Sequence, residues 1–521
     1  MQLVRVERPT WPFSAATCRR VERTTVVHRS VRAWCARLVG RVARQNGPVA
    51  RSTQSPIESF RLSTSSLLPR PTFSYAAAMT TLAPFRRRSF LKALAAGSLT
   101  APLFVPRLFS APPSGRVLHA SFGAGGMARS DLESIASHQN VQLVAVAEVE
   151  PAKADGLKKK WPDLRVYSDW RELLDQEKEL TSVNVSTPDH MHAPQAMAAI
   201  QRGLHVYGQK PLTHDIYEAR RLAEVARRKK LVTQMGIQIH SDAAYKLGVR
   251  LVQDSAIGPI KEVHTWSSKK WGDTGAMPDR VDPVPAGFHW DLWLGVCAER
   301  PFIGGGWYHP GNWRKRLDFG TGTFGDMGCH IYDPVFKALA LTAPLTVRSE
   351  GPPPNAHSWA DDAIIHYVFP GTRFTAGKTV NVTWYDGDQR PSSEIVALAG
   401  GKLPDQGSVF LGTKGVMVLP HVARPKLLPT EDFKDFTMPE VKSDNHWHQF
   451  VEAILGRGQT QANFDYSSPL TEAVLLGGVA TRFPKTTLEW NAKRLRFTNE
   501  KSANQYVRRA YRKGWEVSGL S

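Results

Sequence analysis

Three clusters in this 521-residue chain have the residue types and spacing for chemistry. The first closes the run L-H-A-S-F-G-A-G-G-M-A at residues 118–128. Gly123, Gly125 and Ala128 fit the pattern G-x-G-x-x-G/A, with Gly126 and Met127 between them. Such a turn cradles a dinucleotide pyrophosphate. Glycine allows a tight bend and a close approach of backbone to phosphate, and a small third residue lets the helix pack on its strand. The helix start beyond it offers unpaired N–H groups and the positive end of a dipole. Glu148 follows Ala128 by twenty positions, just past the apolar run 141–146. A carboxylate there binds ribose hydroxyls and repels a 2′-phosphate, so NAD is expected and NADP disfavoured. Taken alone, the motif also describes an ordinary glycine-rich turn, and Glu148 a solvated loop carboxylate. The second cluster joins Thr187, Pro188 and His192 of T-P-D-H-M-H to Gln209 and Lys210 of G-Q-K-P-L. Thr187, His192 and Lys210 fall just past short β-rich runs, where ligands of parallel sheets collect. The third is Asp326 and His330, four apart in G-T-G-T-F-G-D-M-G-C-H. On a helix opened by Asp326 they share a face, one turn apart. The alternatives are a helix N-cap for Asp326 and a satisfied core histidine for His330.

These residues need elements to hold them. Past the glycine turn the pattern predicts a helix at 129–137. After Glu148 it predicts helices at 152–160 and 170–176 around a short strand at 166–167. A strand at 183–186, a helix at 194–202 closed by Gly203, a strand at 204–207, a helix at 216–229 and a strand at 232–236 come next. Strands alternating with helices of this length mean right-handed βαβ units and a parallel sheet. The fold class is therefore α/β, with an N-terminal Rossmann dinucleotide-binding domain at 116–237. Residues 238–521 read differently. Strands are expected at 260–266, 363–369, 380–384, 395–399 and 416–419, without regular helices between them. That pattern gives a C-terminal α+β domain with a large, mostly antiparallel open sheet for substrate and oligomer contacts. Residues 271–328, rich in Trp, Gly and Pro, read as loops forming a pocket wall. Helices at 447–455 and from 464, a strand at 488–490 and a basic closing helix towards 515 complete the chain.

The net charge of +20 suggests nucleic acid until it is located. Residues 1–78 hold thirteen Arg, no Lys and three Glu, and residues 79–115 hold four Arg and one Lys with no acid. Only about +5 remains for the body, so no nucleic-acid partner is expected. Residues 1–78 show no period and are read as disordered or as lying upstream of a true start at Met79. From Met79, R-R-R-S-F-L-K at 86–92 precedes a short apolar stretch at 93–105. This resembles a twin-arginine export signal, with linker, over 79–115. Its implied partner is the twin-arginine (Tat) export machinery and its implied address the bacterial periplasm. The stretch is too short for a stable transmembrane span unless it stays uncleaved as an anchor. Cys297 and Cys329 are too few for a disulfide framework. No cluster of His, Cys and Glu has zinc-ligand spacing, so no metal is expected.

The motifs G-A-G-G-M-A, T-P-D-H-M-H, G-L-H-V-Y-G-Q-K-P-L and D-M-G-C-H together resemble the Gfo/Idh/MocA oxidoreductase family, whose members include inositol dehydrogenase and glucose–fructose oxidoreductase. The resemblance runs from Arg116 to the C-terminus. It implies Lys210, Asp326 and His330 as the catalytic set. The cofactor-binding set comprises the glycine turn with Glu148, then Thr187, Pro188 and His192, then Gln209 and Lys210. The family's E-K-P stands here as Q-K-P, which removes a carboxylate near the nicotinamide ribose. The residue types suit oxidation of a secondary alcohol. His330, with a reference pKa near 6.5, takes the hydroxyl proton. Lys210 stabilises the developing alkoxide, and Asp326 orients the imidazole or binds a neighbouring hydroxyl. Trp307, Tyr308, His309, Trp313 and Arg314 are candidate contacts for a sugar or polyol, with ordinary packing as the alternative. The implied activity is an exported NAD(H)-dependent oxidoreductase with tightly held cofactor. A redox-neutral glycosidase working through a transient keto-sugar is the alternative, and a non-catalytic sugar-binding protein a third. A homodimer or homotetramer is expected.

Overall fold

The computed structural model describes residues 115–521. The arginine-rich residues 1–78 and the twin-arginine stretch 86–92 lie outside the described residues.

Six parallel strands form the first sheet: β1 (Val117–Phe122), β2 (Val141–Ala147), β3 (Arg165–Tyr167), β4 (Ser182–Val185), β5 (His205–Gly208) and β6 (Thr233–Met235), in the order β3-β2-β1-β4-β5-β6. Helices α1 (Gly126–Ala136), α2 (Asp155–Lys160), α3 (Trp170–Gln176), α4 (Asp189–Gln201) and α5 (Ile216–Lys229) make the crossovers. Their apolar faces and the strands bury one another, with Ala120, Phe122, Val183, Val185 and Val206 fully buried. The register aligns the strand ends. Phe122 pairs with Ala147 of β2 and with Val185 of β4, and Val185 pairs with Gly208 of β5. Four strands therefore end level, and Gly123, Glu148, Ser186–Thr187 and Gln209–Lys210 emerge along one edge. The strand order reverses direction between β1 and β4, which places the ligand crevice of such a sheet at that edge.

Most predicted bounds hold to within a few residues. Helix α1 starts at Gly126, three residues earlier than predicted. Helix α4 starts at Asp189, not at 194, and accommodates Pro194 within it. The earlier start is set by the β4–α4 turn at Pro188 and by burial of His190, whose Nε2 pairs with the Trp293 carbonyl.

The second sheet has nine strands: β7 (Ile260–Ser267), β8 (Thr346–Glu350), β9 (Ile364–Pro370), β10 (Thr379–Asp386), β11 (Gly407–Gly412), β12 (Val416–Pro420), β13 (Lys426–Leu428), β14 (Thr487–Asn491) and β15 (Arg496–Phe497). Their order is β13-β12-β11-β7-β10-β9-β8-β14-β15. Only β7 and β10 pair in parallel. Tyr367, Phe369, Val382 and Trp384 cover its inner face. The segment expected as a strand at 395–399 is helix α6 (Ser393–Leu398). Ser392 caps it by accepting from the Ile395 N–H, and only one side docks, through Ile395 and Ala399. A short apolar run reads as either element until its neighbours are known. The closing basic stretch forms a 3₁₀ turn at Lys501–Tyr506 rather than a regular helix.

Two late helices reach back to the first domain. Helix α7 (His446–Ile454) packs on α1, and α8 (Phe464–Ala480) packs on α5. No helix among the described residues is long and apolar enough to cross a membrane.

Candidate active site

A cavity of about 350 Å³ runs along the level strand ends. At one end lies the glycine turn. Gly123 has φ +97°, and a Cβ there would meet the Ala128 Cβ at 2.8 Å and the Ser186 carbonyl at 3.1 Å. This is the close packing of helix on strand that the small Ala128 permits. Gly126 has φ +52° with nothing within 4 Å of an added Cβ, so the start of α1 is open on that side. Glu148 accepts from the Ala124 N–H at 2.8 Å and from the Glu150 N–H at 3.1 Å, and its residue borders the cavity. Lys153 lies over the turn, its Cδ 2.9 Å from where a Gly125 Cβ would be. It pairs with Glu150 at 2.9 Å, and its Nζ lies 3.1 Å from His309 Nε2. His309, from the second domain, also pairs with Glu150 at 2.5 Å. Burial and the Lys153 charge push its pKa below the ordinary value.

At the other end, two domains meet. Lys210 Nζ donates to Asp326 Oδ1 at 2.6 Å and to the Asp326 carbonyl at 3.1 Å. Arg314 Nε reaches the same Oδ1 at 3.3 Å, and the Trp271 indole N–H donates to Oδ2 at 2.9 Å. Burial alone would raise the Asp326 pKa, but the charges of Lys210 and Arg314 outweigh it and hold the carboxyl well below its usual range. The pair is only 11% and 15% exposed, so each charge needs the other. Asp326 sits in a π-helical turn, Phe324–Gly328, rather than at the start of an α-helix. Phe324 anchors that turn by stacking on Trp384 of the second sheet at 4.6 Å.

Gln209 faces the opposite way. Its Nε2 donates to Asp131 Oδ2 at 2.8 Å, and its Oε1 accepts from the Lys210 N–H at 3.2 Å. Asp131, on α1 and fully buried, also accepts from Ser186 Oγ at 2.8 Å and from the Trp447 indole of α7 at 2.9 Å. Burial outweighs these three donors and pushes its pKa up to about 6. Gln209 thus ties the Lys210 loop to a buried carboxylate of the glycine-turn helix that does not itself border the cavity. His192 lines the cavity, yet both ring nitrogens face carbonyls, Pro211 at 2.8 Å and Thr187 at 2.7 Å. It ties the Thr187 and Lys210 loops together. Thr187 Oγ1 donates to Gln195 at 2.7 Å.

Most of the expected site residues converge. Gly123, Gly125, Gly126, Met127, Glu148, Thr187, Pro188, His192, Gln209, Lys210, Asp326, His309, Trp313 and Arg314 border one cavity. Ala128 lies beneath it. Tyr308 is buried in an aromatic cluster with Trp290 and Phe319, and Trp307 packs beneath the Arg316 guanidinium at 3.3 Å. His330 does not border the cavity. It lines a small neighbouring space beside His421, 5.9 Å between ring centroids, and its ring makes no hydrogen bond to described residues. Burial and the charge of Lys210 push it well below the ordinary histidine pKa, so it is neutral. Lys153 and Trp271 carry no motif around them, and Asp131, three positions past Ala128, falls just outside the glycine pattern.

Residues 119–237 match the oxidoreductase family described as an NAD-binding Rossmann fold, and residues 259–517 match the same family's C-terminal alpha/beta domain. Levoglucosan dehydrogenase of Pseudarthrobacter phenanthrenivorans is 23% identical over 36% of this chain and 40% of its own. Glucose-6-phosphate 3-dehydrogenase of Bacillus subtilis is 22% identical over 41% and 51%. The chain thus spans about two fifths to a half of the length of these curated relatives. The WlbA dehydrogenase of Bordetella pertussis, solved with NADH and UDP-GlcNAcA, superposes with a TM-score of 0.52 at 13% identity, covering 72% of this chain and 99% of that one. At that identity the likeness concerns the fold.

Proposed function

Because the chain belongs to the Gfo/Idh/MocA family of oxidoreductases, we propose that it oxidises or reduces a secondary hydroxyl position of a sugar, polyol or sugar derivative with NAD. In this reading it is exported to the periplasm by the twin-arginine route and holds its cofactor tightly. The observation that carries the reading is the 2.6 Å pair of Lys210 and Asp326, contributed by different domains, on the floor of a cavity that begins at the glycine turn.

The residues present fit a dinucleotide. The open start of α1 at Gly126 and the Lys153 ammonium would hold the pyrophosphate, Glu148 a ribose, and Thr187 with Gln209 the nicotinamide end. When bound, NAD supplies the acceptor for the hydride that leaves the carbinol carbon. The chain's own residues do the rest. Lys210 donates to the substrate oxygen and stabilises the charge that develops on it. Asp326, held ionised by Lys210 and Arg314, keeps the ammonium aimed into the cavity. His330 takes the hydroxyl proton. It is neutral and its nitrogens are free, whereas those of His192 and His309 are engaged. Its ring must turn from the neighbouring space towards Asp326 to do so. Arg314, Trp313 and His309 border the space where further hydroxyls would lie.

Export rests on R-R-R-S-F-L-K ahead of a short apolar stretch. Free NAD is scarce outside the cytoplasm, so an exported enzyme of this kind carries its cofactor with it and recycles it on the protein. Assembly as a homodimer or homotetramer belongs to the same reading. The test is direct. Purified, dialysed protein is denatured and its released small molecules are identified, and native protein is incubated with a panel of sugars and polyols. Released NAD and a ketosugar or lactone product support the proposal. A protein empty as isolated, or a cleaved glycoside with NAD unchanged, overturns it.

A further inference from the structure

A second cavity, of about 290 Å³, lies behind the turn that carries Asp326. Phe324 and Gly325 of that turn form part of its wall, while Asp326 itself borders the first cavity. Two guanidinium groups also line it. Arg482 lies against the faces of Tyr506 at 4.3 Å and Trp359 at 5.1 Å, and it makes no ion pair with described residues. Arg509 donates through Nη2 to the Asp318 carbonyl at 3.2 Å, while its Nη1 is buried with no acceptor among the described residues.

The carboxylates nearby are already matched. Asp318 pairs with Arg300 at 2.6 Å, and Asp215 lies between His214 at 2.9 Å and Arg509 Nε at 3.7 Å. Neither carboxylate makes a direct ion pair with Arg482, and one buried Arg509 donor stays unpaired, which is costly. Burial pushes the Arg482 pKa below its ordinary value, while Tyr506 and the more distant carboxylates of Asp215 and Asp318 act against that shift. The wall facing these groups includes Val474, Leu475 and Val479 of α8.

We propose that this cavity is a binding site for a small organic carboxylate, whose oxygens pair with the Arg482 guanidinium, near Arg509, while its apolar body lies against α8. Guanidinium forks match carboxylate geometry. A bare phosphate would leave the apolar wall without a partner. The site is separate from the sugar cavity and does not depend on the oxidoreductase reading.

The test uses the full chain as purified, titrated by calorimetry with benzoate and, separately, with inorganic phosphate, at constant ionic strength. Saturable benzoate binding is expected, weakened at least tenfold in Arg482→Met, which keeps an aliphatic side chain between the two rings. Gly478→Val is a second variant. A Cβ at Gly478 meets only the Trp359 ring, at 3.4 and 3.7 Å, so the larger side chain narrows the cavity without removing a charge. It too should weaken benzoate. Thermal unfolding of each variant without ligand should match the parent. Failure of the parent to bind benzoate, phosphate binding in its stead, or folded variants that bind benzoate as tightly as the parent would each overturn the proposal.

Discussion

Replacing Gln209 by Glu restores the family's E-K-P, and the structure says that it will harm this protein. The Gln209 amide donates to Asp131 Oδ2 at 2.8 Å in a fully buried setting. A carboxylate oxygen in its place meets another carboxylate. Two unit charges at that distance repel by about 6 kcal/mol at an effective dielectric of 20, an upper bound that the pair avoids by retaining one proton. Retaining it costs about 1.4 kcal/mol for each pH unit above the carboxyl's ordinary pKa. The sign is fixed by direction. Asp131 already has its folded pKa raised from 3.8 to about 6, so its contribution to stability is complete below pH 3.8 and is lost as pH rises through 6. A second carboxylate moves that loss higher and deepens it. The expected penalty of Gln209→Glu is about 1 kcal/mol near pH 5, where a shared proton restores a hydrogen bond, and about 3–5 kcal/mol near pH 8. Denaturant midpoints of parent, Gln209→Glu and Gln209→Glu/Asp131→Asn at both pH values measure it. The double variant should recover most of the loss at pH 8, because the amide introduced at position 131 can donate to the carboxylate introduced at position 209. A penalty equal at the two pH values, or no rescue by Asp131→Asn, would refute the reasoning.

The same geometry sets other outcomes. Lys210→Ala should cut turnover by several powers of ten with bound NAD content unchanged, read from kcat and from nucleotide released on denaturation; retained turnover removes the lysine from the chemistry. Lys153→Met should speed NAD release about tenfold, since one cation over the glycine turn is worth about 1.4 kcal/mol, and a stopped-flow chase of bound cofactor checks it. His330 is neutral well below its ordinary pKa, so the acid limb of kcat/KM should lie below pH 6.5; a limb at 6.5 that persists in His330→Asn would exclude His330 as the proton acceptor. Glu148→Ala should narrow the preference for NAD over NADP, and it should also loosen the turn by removing the acceptor of the Ala124 N–H.

The local signals were strong where one residue type is obligatory. At Gly123 a Cβ would strike Ala128 and Ser186, so the G-x-G-x-x-A spacing had little freedom to mean anything else once strands flanked it. The alternation of strands and helices likewise set the parallel sheet, and level strand ends came with its register. The apolar run at 395–399 carried no such constraint. Strand or helix there depended on which surface it docked against, and the sheet face at Trp266 and Tyr385 accepts a helix.

Sequence by itself determined the dinucleotide fold, the edge from which Glu148, Thr187 and Lys210 project, and the presence of an Asp–His pair in the second domain. Tertiary structure alone decided which of these meet. Lys210 and Asp326 are 116 positions apart, and only the closing of two domains brings them within 2.6 Å. Packing within each domain left Tyr308 in an aromatic core and put Lys153 over the glycine turn. Packing within the first domain also matched Gln209 to a carboxylate 78 positions earlier. Hydrophobic period and turn chemistry act over a few residues and are written along the chain. Ion pairing across domains depends on distances that the chain does not record until the core has packed.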